Sequence, residues 1–124
     1  MNGNSIFLDT NIILYLLSGD KTIASLLNER NIYVSFVTEL ELLGYKDLTS
    51  EDRTKIKDLL ADSTIIDINS MIKNIVIDLR KTYKIKLPDA IIAASSHFLK
   101  IPFMTSDKNL SKLKELEILM YENS

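Results

Sequence analysis

The chain has 124 residues, 46% of them hydrophobic and 26% charged, with a formal net charge of −2. That length suits one domain, residues 1–124, with a core that needs no covalent staples. Cysteine is absent and His97 is the lone histidine, which excludes disulfides, thiolate metal sites and a His-rich zinc centre; a metal here would take oxygen ligands, as Mg2+ or Mn2+ does. No apolar run approaches the ~20 residues that span a bilayer. Met1-Asn2-Gly3-Asn4-Ser5 has no basic residue and does not read as a signal peptide. The expected location is the cytoplasm.

Ser5 to Leu8 is a short apolar strand, and Asp9-Thr10-Asn11 caps a helix running to about Leu17. Ser18-Gly19-Asp20 breaks it before a second helix from Lys21 to Asn28. Ile32 to Val34 reads as a strand, and Thr38 as the opening of a helix that ends near Gly44. Thr49-Ser50-Glu51-Asp52 starts an amphipathic helix through Leu60, and Thr64 to Ile68 is β-branched and strand-like. Ser70 to Tyr83 is helical, with Ile72, Ile75, Val76 and Leu79 on one face. Pro88 suits the first residue of a helix to about Leu99. Phe103 to Thr105 is a strand, Lys108 to Leu113 a short helix and Ile118 to Tyr121 a last strand. Strands and helices alternate throughout, which predicts a parallel α/β sheet covered on both faces.

Ligands of such sheets bind beyond the carboxyl ends of the strands. Four carboxylates have settings that lead there. Asp9 and Asp107 follow strand ends, Glu41 lies a turn into the helix after a strand, and Asp89 opens a helix after a loop. Each has an ordinary structural role open to it. Asp9 and Asp107 suit helix N-caps, Thr38 and Glu41 match capping-box spacing, and Asp89 complements a helix dipole. As a set they are harder to explain so. The helix Asp89-Ala90-Ile91-Ile92-Ala93-Ala94 is small and apolar, so an acid at its mouth is partly desolvated and needs a partner. No lysine or arginine is placed to pair with all four, and converging carboxylates repel unless a proton or cation neutralises them.

At these residues the chain resembles PIN-domain ribonucleases of the kind found as toxins in VapBC-type, type II toxin–antitoxin pairs. The motifs are Leu8-Asp9-Thr10-Asn11, Ser35-x-x-Thr38-x-x-Glu41-Leu42, Leu87-x-Asp89-Ala90-x-Ile92-Ala93-Ala94 and Thr105-x-Asp107. Their order and spacing match over nearly the whole chain. The resemblance implies a PIN-like three-layer α/β/α sandwich with a central, mainly parallel sheet. It implies an endoribonuclease using Mg2+ or Mn2+, with Asp9, Glu41, Asp89 and Asp107 as catalytic acids and metal ligands. Asn11 matches an asparagine that supports the first aspartate, and Thr105 a hydroxyl residue of the last motif. Glu39, two residues before Glu41, is an alternative acid, and Gly44 comes one residue earlier than the family's glycine.

The resemblance further implies a homodimer and a cognate antitoxin, whose arginine would pair with the acids in place of metal. RNA would be held by basic residues. Arg80, Lys81, Lys84 and Lys86 form one run and Lys46, Arg53, Lys55 and Lys57 another. Lys86 and Lys108, beside Asp89 and Asp107, are the chosen phosphate contacts. Aromatics are 7% of the chain, mostly in apolar runs, so structured RNA such as tRNA, recognised by shape and phosphates, is expected over base stacking. His97 reads as structural. The rival readings are a receiver-like phosphoacceptor domain, a haloacid-dehalogenase-type phosphatase, a non-catalytic binding domain and a solitary PIN-domain RNA-processing nuclease. The first would have paired acids after strand one and the second Asp-x-Asp, where this chain has Asp9-Thr10-Asn11.

Overall fold

A computed structural model of the chain describes residues 3–122. Met1 and Asn2, part of the segment weighed above as a leader, and the last two residues of the 1–124 domain lie outside the described residues. The elements are β1 (Ser5–Leu8), α1 (Thr10–Leu17), α2 (Lys21–Leu27), β2 (Asn31–Ser35), α3 (Phe36–Leu43), α4 (Ser50–Ala61), β3 (Thr64–Ile66), α5 (Ser70–Thr82), α6 (Leu87–Leu99), β4 (Phe103–Thr105) and β5 (Ile118–Met120). The five strands pair in the order β3-β2-β1-β4-β5, every neighbouring pair parallel. A receiver-type sheet runs 2-1-3-4-5, so the strand order already separates this chain from that rival.

Alternation along the central strands assigns each face its helices. Ile6 and Leu8 of β1, Val34 of β2 and Met104 of β4 meet Ile12 and Ile13 of α1, Ile23 of α2, Leu42 of α3 and Ile56 and Leu60 of α4. Phe7 of β1 and Phe103 of β4 point the other way, their ring centroids 6.3 Å apart. They pack on Ile72, Val76 and Leu79 of α5 and on Ala90, Ile92, Ala93 and Ala94 of α6. The small alanines let α6 pack closely on that face, while Asp89 in its first turn is half-buried. Helices therefore cover both faces of the sheet, in three layers.

Several boundaries depart from the sequence-based expectation. The α3 helix starts at Phe36, not Thr38, because the Ser35 hydroxyl caps it, accepting from the Val37 N–H at 3.0 Å. The capping-box role of Thr38 is thereby withdrawn, since its hydroxyl is used elsewhere. The α6 helix starts one residue before Pro88, and β3 ends at Ile66 rather than Ile68. The expected helix from Lys108 to Leu113 is a single 3-10 turn, Lys108–Leu110. Gly44 closes α3, and a Cβ there would sit 2.6 Å from the Leu40 carbonyl oxygen. A larger residue would force the helix end apart.

Candidate active site

The chain leaves β1 toward β2 and β3 on one side, and β4 and β5 lie on the other. The crevice at that reversal, beyond the carboxyl ends of the strands, is where sheets of this kind bind ligands. Asp9 follows β1 directly, and its N–H donates to the Met104 carbonyl at 3.0 Å, carrying the β1–β4 ladder one residue further. Its side chain is 4% exposed. One carboxylate oxygen accepts from the Thr10 N–H at 2.9 Å and the other from the Thr105 hydroxyl at 2.6 Å. Thr105, fully buried at the end of β4, also accepts the Asp107 N–H at 3.0 Å. One threonine thus fixes Asp9 and the backbone of Asp107 together. Tyr15 of α1 donates to the Ser106 hydroxyl at 3.2 Å, bracing the same turn.

The second arm of the site comes from α3. The Thr10 hydroxyl donates to Glu41 Oε1 at 2.8 Å and lies 2.9 Å from the Thr38 hydroxyl. Thr10 and Thr38 are both buried, whereas Glu41 is exposed at the rim. It is Glu41, not Glu39, that this tether draws to Asp9's neighbour. The sequence reading missed Thr10 and underused Thr38. The signal was present: two threonines inside the motifs, at positions where a helix core would otherwise take an apolar residue.

Asp89 occupies the first turn of α6, half-buried. Burial raises its pKa, Asp107 and Glu41 raise it further, and Lys86 opposes them. Burial likewise pushes Asp9 up from 3.8 to about 6. Bonds from Thr105 and Thr10 pull it back, and the charges of Asp89 and Asp107 add to the rise. The repulsion on Asp89 from Asp107 and Glu41, and on Asp9 from Asp89 and Asp107, puts all four sequence-selected acids in one electrostatic neighbourhood. Asp107 also keeps the ordinary role foreseen for it, since its Oδ1 accepts from the Asn109 N–H at 2.9 Å and caps the 3-10 turn. Asn11 is exposed at the start of α1, and the bonds holding Asp9 come from Thr10 and Thr105 instead.

The donor set is oxygen-only and acidic, and burial and repulsion disfavour the charged form at two of its members unless a cation offsets them. That fits a hard divalent cation. Among the described residues no three acids close around a common point as a ready-made cage. Mg2+ suits such an open set, since it keeps several waters and takes few protein ligands.

The basic residues divide. Arg80, Lys84 and Lys86 line a cleft beside the acids with Asn109 and Lys112, whereas Lys81 and Lys108 are exposed outside its lining. Lys112 was not singled out from the sequence. His97 lies further along α6, lining a different hollow with Lys100, Glu115 and Glu117. Among the described residues no helix is long and apolar enough to cross a membrane.

Comparisons with known proteins agree with this fold. No curated protein matches the chain. Among solved structures, a toxin–antitoxin complex from Klebsiella pneumoniae matches with a TM-score of 0.82 and 28% identity, covering 95% of this chain and 99% of that one. VapBC2 from Rickettsia felis, bound to a promoter DNA fragment, matches with a TM-score of 0.85 at 18% identity over 95% and 99%. VapBC-5 from Mycobacterium tuberculosis matches with a TM-score of 0.75 at 21% identity over the same shares. The model of the PIN domain family matches residues 6–116. That span holds all four acids and both threonines that orient them, and it leaves no room for the receiver or phosphatase readings: the chain belongs to the PIN domain family.

Proposed function

We propose that this protein is the nuclease toxin of a VapBC-type pair, a cytoplasmic Mg2+- or Mn2+-dependent endoribonuclease acting on structured RNA such as tRNA. The observation that carries the reading is the convergence of Asp9, Glu41, Asp89 and Asp107 at the crevice between β1 and β4. Burial and mutual repulsion there raise both Asp9 and Asp89. The likeness to the Klebsiella toxin–antitoxin complex over 95% of the chain supports the toxin assignment.

Asp9 and Asp89 would be the principal metal ligands, with Glu41 and Asp107 completing the pocket directly or through water. A bound divalent ion supplies a water of lowered pKa and positive charge for the attacking and leaving oxygens. The chain's own residues do the orienting. Thr105 and the Thr10 N–H lock the Asp9 carboxylate in one rotamer. The Thr10 hydroxyl aims Glu41 inward from the rim. The Asn109 N–H occupies one oxygen of Asp107, leaving the other for the pocket. Burial and the neighbouring acids disfavour the charge of Asp89, and Lys86 offsets them in part. Such support from the outer residues fixes a site more firmly than the ligands do alone.

The same acids suit an arginine from a cognate antitoxin, since guanidinium pairs bidentately with carboxylates. A homodimer is part of the reading. The solitary RNA-processing nuclease is the second reading, and it uses the same acids without a partner. The test is cleavage of a folded tRNA with Mg2+, in EDTA, and by Asp9→Asn and Asp89→Asn. Cleavage that needs the metal and both acids supports the proposal. Full activity in EDTA, or in either variant, refutes it. An adjacent reading frame encoding a DNA-binding module with a basic tail separates toxin from solitary enzyme.

A further inference from the structure

Positive charge is distributed unevenly around the acids. The walls built from α1 and α3 carry none: no lysine or arginine occurs between Ser5 and Asp20 or between Phe36 and Tyr45. The opposite side holds a cleft of about 460 Å3 lined by Arg80, Lys84, Ile85, Lys86, Asn109 and Lys112. These come from three places in the chain: the last turn of α5, the loop into α6, and the 3-10 turn with the residues after it. Tyr83 holds the two walls together, donating to Glu115 at 2.8 Å and accepting the Lys114 N–H at 3.2 Å. Among the described residues the one salt bridge is Lys55–Glu51 on α4, so the four cations of the cleft are not spent on carboxylates.

The cleft is continuous with the acids at two points. Lys86 stands at the N-cap position of α6, three residues before Asp89, and the Asn109 N–H is bonded to Asp107. Its lining has no aromatic ring, which leaves nothing for a base to stack on. Clustered cations without stacking surfaces suit phosphates. We infer that this cleft holds the sugar–phosphate backbone of the RNA on one side of the cleaved bond, so that the enzyme grips its substrate asymmetrically. The inference rests on the nuclease reading above. It makes Lys84 and Lys112 substrate-binding residues, and it leaves the α1–α3 side of the scissile phosphate without a phosphate grip.

The experiment uses the full chain, Mg2+ and an RNA that the parent cleaves, trimmed stepwise from the 5′ or the 3′ side of the cleavage point. Trimming one side should lower kcat/KM about tenfold or more, and trimming the other should change it little. The Lys84→Ala/Lys112→Ala variant should lose a similar factor on the untrimmed RNA and lose little more when the sensitive side is trimmed. Its log–log dependence on salt should be shallower by about two, one for each lost contact. Lys21→Ala/Lys73→Ala removes the same charge elsewhere on the exposed surface and should follow the parent. Equal sensitivity on both sides, or an unchanged salt slope in the cleft variant, overturns the inference while the nuclease reading stands. So does a cleft variant that cleaves normally but loses binding of poly-glutamate, which would assign the cleft to an acidic protein segment. A parent that cleaves no RNA with Mg2+ refutes the nuclease reading and this inference with it.

Discussion

Asp9→Asn isolates the energetic strain that the site stores. Burial raises the Asp9 pKa from 3.8 to about 6. At about 1.4 kcal/mol for each tenfold change in proton affinity, that difference corresponds to about 3 kcal/mol. The folded protein holds the Asp9 proton more tightly than the unfolded chain. The stability from that proton is fully present below pH 3.8 and is lost as pH rises through about 6. Asparagine never ionises. Its amide oxygen can still accept the Thr10 N–H, and its NH2 can donate to the Thr105 hydroxyl oxygen in place of the bond now made at 2.6 Å. The variant should therefore gain on the parent with rising pH, reaching an advantage of about 3 kcal/mol by pH 8 relative to pH 3.8. For a chain of this size that is roughly 10 °C in Tm. The assay is urea unfolding of both proteins in EDTA from pH 3.5 to 8, with the Asp9 titration followed by carbon NMR. Saturating Mg2+ should raise the parent's Tm by mass action and the variant's much less. A stability difference that stays flat across this pH range refutes the account of a carboxylate held ionised at a cost.

Cleavage should appear with Mg2+ or Mn2+ and vanish in EDTA, while Ca2+ binds but supports little turnover because its looser geometry positions water poorly; turnover with Ca2+ equal to that with Mg2+ contradicts this. Thr105→Val removes the donor to Asp9 and the acceptor of the Asp107 N–H. It should cost about 1–3 kcal/mol and raise the Asp9 pKa further, as unfolding and NMR titration would read. Thr10→Val unties Glu41 and should lower kcat about tenfold or more with a near-parental Tm, while Thr10→Ser restores it; equal losses in both variants would point to packing instead. Lys86→Ala should weaken cleavage of untrimmed RNAs of different sequence alike and raise the Asp89 pKa, since Lys86 now lowers it; an unchanged Asp89 titration would remove Lys86 from the site.

Much of this protein was legible in the chain alone because it rests on local rules. Strand–helix alternation determines a parallel sheet covered on both faces, and apolar periodicity marks which side of each helix is buried. Asp9, Asp89 and Asp107 stand at element junctions and Glu41 a turn inside a helix, and such places are properties of sequence. The element ends were legible only approximately. Whether Ser35 or Thr38 caps α3 depends on where the Thr38 hydroxyl finds its partner, and that partner, Thr10, is 28 residues away. Non-local partners of this kind are what tertiary structure decides. It set the strand order that places β1 beside β4, joined Thr105 to Asp9 across 96 residues, and turned Glu41 rather than Glu39 to Thr10. It also sorted the lysines. In the sequence only its spacing to Asp89 sets Lys86 apart from Lys81 and Lys84 in one basic run, but the end of α5 and the loop that follows turn Lys84 and Lys86 into a cleft and leave Lys81 outside its lining, while Lys112 reaches the same cleft from a distant segment. Spacing along a chain orders residues within one element; distances between elements follow only from how the layers pack.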